Sequence, residues 1–373
     1  MIDAQPHVAF FLRYLGGGGA ERVLLNLASG LSQQGIQVEL VLENAWGPHL
    51  SKVPDEVKIV DLKASGTLSA IGAFAQYLRQ VKPLAVLSAL HYANEIAIAA
   101  KKLSGVTTRL IVSEHNTLSQ ALPQKSGLKK RLLPSLIRML YPWADGVVAV
   151  SHGVAQDLAR MTGLSPDLIT TIYNPVIMPD LPQKAAAPVD HPWFAEGEPP
   201  VVVGVGKLEK QKDFTNLIQA FALVRQQCEA RLMILGWGPL RSQLEALVTD
   251  LGLENDVALL GYIENPYPYM AKASVFALSS AWEGLPTVLI EAMAVGTPVV
   301  STDCPSGPQE ILDGGKYGIL TPVQDSSALA EGILTVLKQP TPAMPKEWLE
   351  QFTLTATTQN YLKIFHLDPR KSE

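Results

Sequence analysis

The stretch SSAWEGLPTVLIEAMAVGTPVV, residues 279–300, contains a polar loop, a helical segment and a following apolar run. Gly284 turns the loop into Pro286, whose fixed φ and missing N–H suit the first position of a helix. The run from Val299 to Thr302 is typical of a buried parallel strand. This loop, helix and strand therefore predict one repeat of a parallel α/β sheet.

Two carboxylates flank the predicted start of that helix. Glu283 lies in the loop, and Glu291 follows after seven intervening residues, about two turns into the predicted helix. The N–H groups of Thr287 and Val288 are expected to point out of the helix end, where the helix dipole favours an anion such as a phosphate. A carboxylate on each side can accept hydrogen bonds from hydroxyls. A sugar nucleotide has this order of sugar, diphosphate and ribose, although an ordinary buried helix would fit the same letters.

Short apolar runs alternate with segments of helical period along most of the chain, which indicates doubly wound parallel sheets. From Asn174 to Pro200 the pattern stops, and seven of the 27 prolines fall there, so this segment is interpreted as a linker. Two domains would form a cleft at the carboxyl ends of their strands, where open α/β sheets bind ligands. The predicted strands are 7–12, 38–42, 84–89, 110–113, 146–150, 201–205, 231–235, 257–260, 275–278 and 299–302; the predicted helices are 20–34, 93–103, 128–141, 214–227, 240–251, 286–295 and 348–365.

Composition narrows the class of protein. With 373 residues, 47% of them hydrophobic and 17% charged, the chain can bury two cores. A net charge of -5 argues against broad binding to nucleic acid. Cys228 and Cys304 lie far apart, which predicts neither a disulfide framework nor a metal site and favours a reducing cytoplasm. The apolar run at 7–12 has no positively charged leader before it, and no segment has the length of a membrane span, so neither secretion nor membrane insertion is expected.

The spacing of Glu283 and Glu291, with GLP after the first and EAMAVGTPVV from the second, resembles the donor-site signature of the family 4 (group 1) retaining glycosyltransferases, including those of bacterial cell-envelope and exopolysaccharide synthesis. Similar stretches occur at 16–31, 202–221, 259–280 and 304–322. The resemblance implies an α/β protein of the GT-B fold, with two facing Rossmann-like domains and a C-terminal helix that crosses back to the first. The implied boundaries are 1–180 for an acceptor-binding domain, 181–200 for the linker, 201–345 for the donor domain and 346–373 for the returning helix.

The resemblance also implies functional residues. Glu283, His115 and Lys212 are the implied catalytic residues, with His115 near the reacting carbon of the donor sugar and Lys212 neutralising the leaving diphosphate. Lys207 occupies a position where the family usually has arginine; it keeps the charge but lacks the bidentate fork. The implied donor-binding residues are Gly18, Gly19, Lys207, Lys212, Gly261, Tyr262, Ile263, Glu283, Gly284, Leu285, Pro286, Thr287, Val288 and Glu291.

Each of these assignments has a plainer alternative. The glycines before Glu21 and Arg22 fit a flexible turn, and the two lysines fit a solvated loop. A lone histidine is more often structural. Glu114 and Asn116, beside His115, are the implied acceptor-binding residues, although Glu114 could instead orient His115. Tyr267 and Tyr269 are expected to pack in the core. Asn174 resembles the Asn-Pro hinge of the family and also fits a simple turn.

The chain has no Asp-x-Asp pair, so helix N–H groups and lysines are expected to hold the diphosphate without a metal ion or another cofactor. The expected reaction transfers a hexose or N-acetylhexosamine from a nucleotide sugar, preferably UDP-linked, with retention of anomeric configuration. Attack and departure on the same face, with a donor phosphate oxygen taking the acceptor proton, are the expected mechanism.

A basic amphipathic segment at 121–143 hints at the acceptor. It contains Lys125, Lys129, Lys130, Arg131 and Arg138 and no acidic residue, a pattern typical of helices that lie on anionic membranes and equally of solvated surface helices. With the family resemblance it favours a glycan or lipid-linked sugar acceptor, and peripheral association with the cytoplasmic membrane face.

Three other functions remain open. A UDP-sugar epimerase of GT-B-like fold would form product without an acceptor, and a silent sugar-nucleotide-binding protein would turn nothing over. A nicotinamide oxidoreductase fits less well, because no GxGxxG with a later acidic residue follows the first strand.

Overall fold

The computed structural model describes residues 6–122, 128–339 and 344–367. They form two compact units. The first unit consists of the chain up to Val176 together with the chain from Gln351 onward, and the second consists of Ile177–Glu350. Residues 181–200, the expected linker, therefore belong to the second unit, where they contain a short helix.

The first unit is built on a seven-stranded parallel sheet with the order β3-β2-β1-β4-β5-β6-β7. Its strands are β1 His7–Leu12, β2 Gln37–Leu42, β3 Lys58–Asp61, β4 Ala85–Ala89, β5 Arg109–Glu114, β6 Gly146–Ala149 and β7 Ile169–Thr171. Its helices are α1 Gly19–Gln33, α2 Thr67–Val81, α3 His91–Ser104, α4 Leu118–Ala121, α5 Leu128–Leu140 and α6 His152–Thr162. Phe10 and Phe11 are neighbours in β1 but lie in different apolar clusters, because successive strand side chains point to opposite faces.

The second unit contains a six-stranded parallel sheet with the order β10-β9-β8-β11-β12-β13. Its strands are β8 Val201–Val205, β9 Arg231–Leu235, β10 Val257–Gly261, β11 Val275–Leu278, β12 Val299–Thr302 and β13 Ile319–Thr321. Its helices are α7 Leu181–Ala185, α8 Phe214–Arg225, α9 Arg241–Asp250, α10 Tyr267–Lys272, α11 Thr287–Ala294, α12 Pro308–Ile311, α13 Ser326–Lys338 and α14 Lys346–Leu349.

The last helix, α15 Leu354–Phe365, belongs to the first unit. Tyr361, Leu362 and Phe365 join the apolar cluster under β1 and α1. Gly30 of α1 allows the close approach, since a Cβ there would lie 2.4 Å from Thr358 Oγ1. The predicted return of the C-terminal helix to the first domain is therefore confirmed.

The predicted single helix over 348–365 is wrong. A turn of 3-10 helix at Glu350–Phe352 separates α14 from α15. Thr353 then begins α15 as its N-cap, with its hydroxyl oxygen accepting from the Ala356 amide at 3.2 Å. No helix within the described residues has the length and apolar character needed to cross a bilayer.

Both sheets reverse their strand order beside their first strand. The chain continues outward from β1 to β2 and β3 and then returns to place β4 on the other side, and β8, β9, β10 and β11 repeat this path. The loops at the carboxyl ends of two such neighbouring strands diverge and leave a crevice, which is where ligands of open α/β sheets bind. These positions are the ends of β1 and β4 in the first unit and of β8 and β11 in the second.

Candidate functional site

In the second unit, the loops after β8 and β11 meet at the strand-order reversal. The two strands are hydrogen-bonded neighbours, with Val202 opposite Val275. Beyond them, the Ala281 amide donates to the Gln211 carbonyl at 2.8 Å, and the Ser279 hydroxyl donates to the Lys212 carbonyl at 2.8 Å. The fold thus joins the lysine-containing loop to the loop that contains Glu283.

The Glu283 carboxylate is buried and receives hydrogen bonds on both oxygens. Lys212 Nζ lies 2.5 Å and Ser280 Oγ 2.6 Å from Oε1, while Gln211 Nε2 lies 3.2 Å from Oε2. Gly206 leaves room for the lysine, because a Cβ there would approach the Lys212 side-chain carbons to 3.1–3.2 Å. The structure therefore brings together two of the three implied catalytic residues, Glu283 and Lys212. Ser280 and Gln211 were not singled out in the sequence.

The helix after Glu283 begins one residue later than expected. Pro286 is the N-cap of α11, with φ -70° and ψ 94°, and Thr287 is the first helical residue. The loop from Gly284 to Pro286 packs against residues 304–307. Ser306 Oγ donates to the Gly284 carbonyl at 2.9 Å. Gly307 has a φ of +97°, and a Cβ there would lie 2.3 Å from Pro286 Cδ. The segment around 304–307 therefore fixes the position of the helix start.

Glu291 lies within α11, about one turn from its beginning rather than two. Its side chain is buried, and Tyr267 Oη is 3.4 Å from Oε1. The expectation that Tyr267 and Tyr269 are core residues is only partly met. Both are half-buried, Tyr267 contacts a carboxylate, and Tyr269 packs edge-on against Phe194.

The other implied donor-binding residues of the second unit are not part of the Glu283 hydrogen-bond cluster. Lys207 is half-buried, and its side chain has no ion pair or hydrogen bond to any residue that the structure describes. Gly261 ends β10 with a φ of +80°, and its carbonyl accepts from the Gly236 amide at 2.7 Å. Tyr262 is exposed, and Ile263 is half-buried. These three residues lie two strands away from β8 in the sheet.

In the first unit, His115 follows β5 and is buried. Burial lowers the pKa of its imidazole to about 4, so the ring is neutral at pH 7. Ser113 Oγ lies 3.2 Å from the Ser88 carbonyl oxygen, which can only accept, and 3.1 Å from His115 Nε2. The serine hydroxyl therefore donates to the carbonyl and accepts from Nε2–H. His115 Nδ1 remains as a buried acceptor with no hydrogen-bond partner among the described residues.

The neighbours of His115 differ in environment. Glu114 is buried; its Oε1 accepts a hydrogen bond from Asn94 Nδ2 at 3.1 Å and another from the Tyr141 hydroxyl. Burial and the nearby Glu114 charge raise the pKa of Tyr141 well above its usual value, so the phenol stays protonated and donates. Asn116 is exposed. Asn94 and Tyr141 were not predicted, because they come from α3 and the turn after α5 and meet Glu114 only in the folded chain.

The glycine-rich loop after β1 is shaped by close contacts. Gly18 is the N-cap of α1, and a Cβ there would lie 2.4 Å from a Glu21 carboxylate oxygen. Gly17 has a φ of +80°, which a non-glycine residue would adopt at a cost. A Cβ on Gly19, the first residue of α1, would meet nothing within 4 Å. The loop therefore turns close to the Glu21 carboxylate, and a side chain at Gly17 or Gly18 would not fit without a shift.

The sequences of both units match known families of proteins. Residues 17–178 match the sequence profile described as Glycosyltransferase Family 4, and residues 199–339 match the one described as Glycosyl transferases group 1. The chain is 32% identical over 342 residues to the N-acetylgalactosamine-N,N'-diacetylbacillosaminyl-diphospho-undecaprenol 4-alpha-N-acetylgalactosaminyltransferase of Campylobacter jejuni, covering 89% of this chain and 90% of that protein. This chain belongs to the family 4 glycosyltransferases. The predicted family is confirmed, and the enzyme is a hexosyltransferase.

A further relative agrees with this assignment, and solved structures share the fold. The glycosyltransferase is 28% identical to the lipopolysaccharide 1,6-galactosyltransferase of Salmonella typhimurium over 327 residues, 82% of each chain. Its fold matches the lipopolysaccharide outer core galactosyltransferase WaaB in its apo form, with a TM-score of 0.75 over 96% of this chain and 99% of that one at 23% identity. It also matches Anabaena HepE in complex with UDP-glucose, with a TM-score of 0.72, 21% identity, and coverage of 98% and 97%. The predicted GT-B fold is confirmed.

Proposed function

We propose that this glycosyltransferase moves a hexose or N-acetylhexosamine from a UDP-sugar to a hydroxyl of a glycan or lipid-linked sugar, with retention of anomeric configuration, in the synthesis of a cell-envelope polysaccharide or glycolipid. The observation that supports it best is the cluster at the β8 and β11 ends, where Lys212 and Glu283 stand beside the start of α11. The named substrates of the Campylobacter and Salmonella relatives, a diphospho-undecaprenol-linked sugar and a lipopolysaccharide, support the class of acceptor.

The donor is proposed to lie across the start of α11. The helix end, Lys207 and Lys212 offer partial and full positive charge to the diphosphate, which stabilises the charge that develops on the leaving group. Glu283 would accept hydrogen bonds from sugar hydroxyls and Glu291 from the ribose. Gly261, Tyr262 and Ile263 are the proposed contacts of the base. The UDP-glucose complex of Anabaena HepE supports the choice of UDP.

Retention is proposed to arise from attack on the same face as departure. Both oxygens of Glu283 are already engaged by Lys212, Ser280 and Gln211, which makes this carboxylate a poor nucleophile. A donor phosphate oxygen then accepts the proton of the attacking hydroxyl. Trapping a covalent glycosyl-enzyme intermediate would contradict this mechanism.

The roles of the two carboxylates can be separated. Glu291→Gln should weaken binding of UDP itself, because the ribose contact is lost, whereas Glu283→Gln should mainly lower kcat, by about 100-fold or more. Calorimetric binding of UDP and steady-state rates measure the two effects. Glu331→Gln removes an exposed carboxylate of α13 and is the matched control. Equal effects of the two active-site variants on both quantities would refute this division of roles.

The reaction is proposed to need no metal ion. The described residues contain no cluster of three or more His, Cys, Asp or Glu side chains that could ligate one. Helix N–H groups and the two lysines are the proposed substitutes. Activity that survives EDTA would support this proposal, and activity that is lost with EDTA and restored by Mg²⁺ or Mn²⁺ would refute it.

The segment 121–143 is proposed to contact an anionic membrane face. Leu132, Met139 and Trp143 are exposed apolar side chains on α5 and the turn after it. Lys102 Nζ lies 5.0 Å from the Trp143 ring centroid, so a cation adjoins this apolar surface. Arg138 is also exposed. Lys125 and the side chains of Lys129, Lys130 and Arg131, which were part of the prediction, lie outside the described residues.

A binding experiment tests this contact. Leu132→Ser combined with Met139→Ser should reduce sedimentation with liposomes that contain anionic lipid, because apolar area and charge together drive interfacial binding. Leu168→Ser, another exposed leucine of the first unit, is the control. Unchanged binding of the double variant would exclude this surface. A cytoplasmic location remains a prediction.

The function itself is tested with a panel of UDP-, GDP- and ADP-sugars, recording thermal shift and release of nucleoside diphosphate with and without bacterial lipid extract. Selective stabilisation and release with one UDP-sugar, increased by lipid, is the expected result. Product formed without acceptor would favour an epimerase. Stabilisation without release would favour a silent binding protein, and no response to any sugar nucleotide would refute the donor site.

A further inference from the structure

The first unit contains a cavity of about 480 Å³ at its own strand-order reversal. Its walls include Arg13 and Tyr14 after β1, and Tyr92 in α3 after β4. Glu114 and Asn116, the implied acceptor residues, line it as well, and so does Glu21. The cavity is large enough for a small carbohydrate ligand. The inference below rests on the proposed function, in which this unit binds the acceptor.

Two aromatic rings in the cavity wall hold the Arg13 guanidinium. Its carbon lies 4.8 Å from the centroid of Tyr92 and 5.5 Å from that of Tyr14, within the range of cation–π attraction. Both rings are fixed by further contacts: Tyr14 stacks on Trp46 at 4.6 Å, and the Tyr92 hydroxyl lies 3.0 Å from Thr67 Oγ1. The guanidinium is therefore positioned before any ligand arrives, so less side-chain entropy is lost on binding.

The donors of this guanidinium are largely unused. Within the described part of the chain, Arg13 makes no side-chain hydrogen bond, and its one ion pair joins Nε to Glu43 Oε2 at 3.7 Å. Strong arginine–carboxylate pairs are shorter and frequently use both arms of the fork, which this pair does not. More than half of its side-chain surface is exposed. The fork can therefore accept a planar pair of oxygens from a ligand.

The other walls have complementary chemistry. Glu21, Glu114 and Asn116 line the cavity, and carboxylates and amides are groups that bind hydroxyls. Glu114 is held in place by Asn94 and Tyr141. A ligand that pairs with all of these side chains needs hydroxyls for the carboxylates and an anionic group for Arg13. A sugar that bears a phosphate has both.

We propose that Arg13 recognises the phosphate attached to the acceptor sugar, so that this enzyme prefers a glycosyl phosphate or diphosphate over the same sugar without phosphate. The hydroxyls of the sugar lie against Glu114 and Asn116, and its phosphate accepts two N–H bonds from Arg13. The same chemistry is present in a lipid diphosphate-linked sugar and in a soluble sugar 1-phosphate.

The test compares three acceptors that share one sugar: its polyprenyl diphosphate, its 1-phosphate and its neutral alkyl glycoside. Arg13→Gln should raise KM at least tenfold for both phosphate-bearing acceptors while kcat and the KM for the alkyl glycoside stay unchanged. Arg13→Lys keeps the charge without the fork, so its KM for the phosphate-bearing acceptors should lie between those of the native enzyme and Arg13→Gln. An effect only on the polyprenyl diphosphate would assign the contact to the lipid-linked form. Arg79→Gln, an exposed arginine that donates to backbone carbonyls in the same unit, is the matched control.

Direct binding of the sugar 1-phosphate, measured by calorimetry without donor, separates this proposal from the proposed function. Arg13-dependent binding by an enzyme that transfers nothing from any sugar nucleotide would support the phosphate site and refute the function. Equal loss for all three acceptors, or KM values and binding unchanged by Arg13→Gln, would overturn the role of Arg13. Circular dichroism of each variant confirms folding.

Discussion

Lys212 and Glu283 form a mostly buried ion pair, and each depends on the other. Lys212→Gln would leave the buried Glu283 carboxylate with neutral hydrogen-bond donors only. Removing one partner of a buried ion pair typically lowers stability by about 3–5 kcal/mol. We therefore expect a lower midpoint of urea unfolding together with loss of transfer. Lys210→Gln, in the same loop but exposed, should change neither.

The double variant Lys212→Gln, Glu283→Gln discriminates further. It removes both charges, so it should regain part of the stability that the single variant loses, while remaining inactive. Stability that falls additively would mean that the two side chains do not interact in solution.

His115 predicts a pH dependence of stability. Its pKa is lowered by burial from 6.5 to about 4 in the folded protein, so below pH 6.5 the unfolded chain binds a proton that the folded chain does not. The contribution of His115 to the free energy of unfolding is complete above pH 6.5 and is lost as the pH falls toward 4. For a pKa shift of this size the loss is about 3 kcal/mol.

The measurement is the free energy of unfolding at several pH values between 4 and 7. His115→Asn should show a shallower fall than the native enzyme over this window. Half-buried His7 and His49, whose pKa values burial also lowers, contribute a background common to both proteins. Parallel curves would show that His115 titrates normally.

At this scale the sequence located the individual groups but not the contacts between them. Glu283, Glu291 and Lys212 were identified from their motifs, and their roles remain predictions. Gln211 and Ser280 were missed because their contact with Glu283 exists only once β8 and β11 are neighbours. Arg13 and Tyr92 were missed for the same reason, since β1 and β4 are separated in the chain by two strands and two α-helices.

At the scale of elements, the start of α11 depends on the loop below it. Gly307→Ala would place a Cβ 2.3 Å from Pro286 Cδ at a φ of +97°, so the helix start must move. We expect weaker UDP binding and a loss of about 1–3 kcal/mol in stability. Gly314→Ala pays the same kind of backbone cost at φ +67° but meets no atom within 4 Å, so UDP affinity should be unchanged. Equal UDP affinity of the two variants would contradict the proposed support.

The central strands were predicted to within a residue or two, because strands buried on both faces are short continuous apolar runs. The prediction omitted β3, β7 and β13. These strands have three or four residues and lie at sheet edges, and β3 is mostly exposed, so their sequences lack such a run. The break before α15 was also missed, although Thr353 is a residue type that favours the N-cap position.

For the whole molecule, the recurrence of strand and helix on either side of a proline-rich segment was enough to predict two doubly wound domains. The course of the last helix came from the family resemblance, because an amphipathic pattern does not reveal which surface will cover it. The structure supplies the physical reason in Gly30, whose missing side chain admits Thr358 and Leu354.

The packing of α15 against Gly30 predicts that glycine-to-alanine substitutions at two helix positions will have opposite effects on stability. Gly30→Ala would put a Cβ 2.4 Å from Thr358 Oγ1 and should destabilise the first unit by about 1–3 kcal/mol. Gly72→Ala in α2 meets nothing within 4 Å and should stabilise it by about 0.5–1 kcal/mol. Chemical denaturation measures both. A stabilising Gly30→Ala would show that α15 does not pack closely against α1 in solution.

The return of α15 also has a consequence for biosynthesis. A ribosome releases the strands of the first unit before those of the second, yet α15, which packs against α1 of the first unit, is made after both. Domains usually complete folding in the order in which they are translated. Here the second unit is contiguous in the chain and can finish while the first still exposes the surface that α15 covers, around Gly30 and Gly146. The nascent enzyme would then need protection from aggregation until α15 has left the exit tunnel.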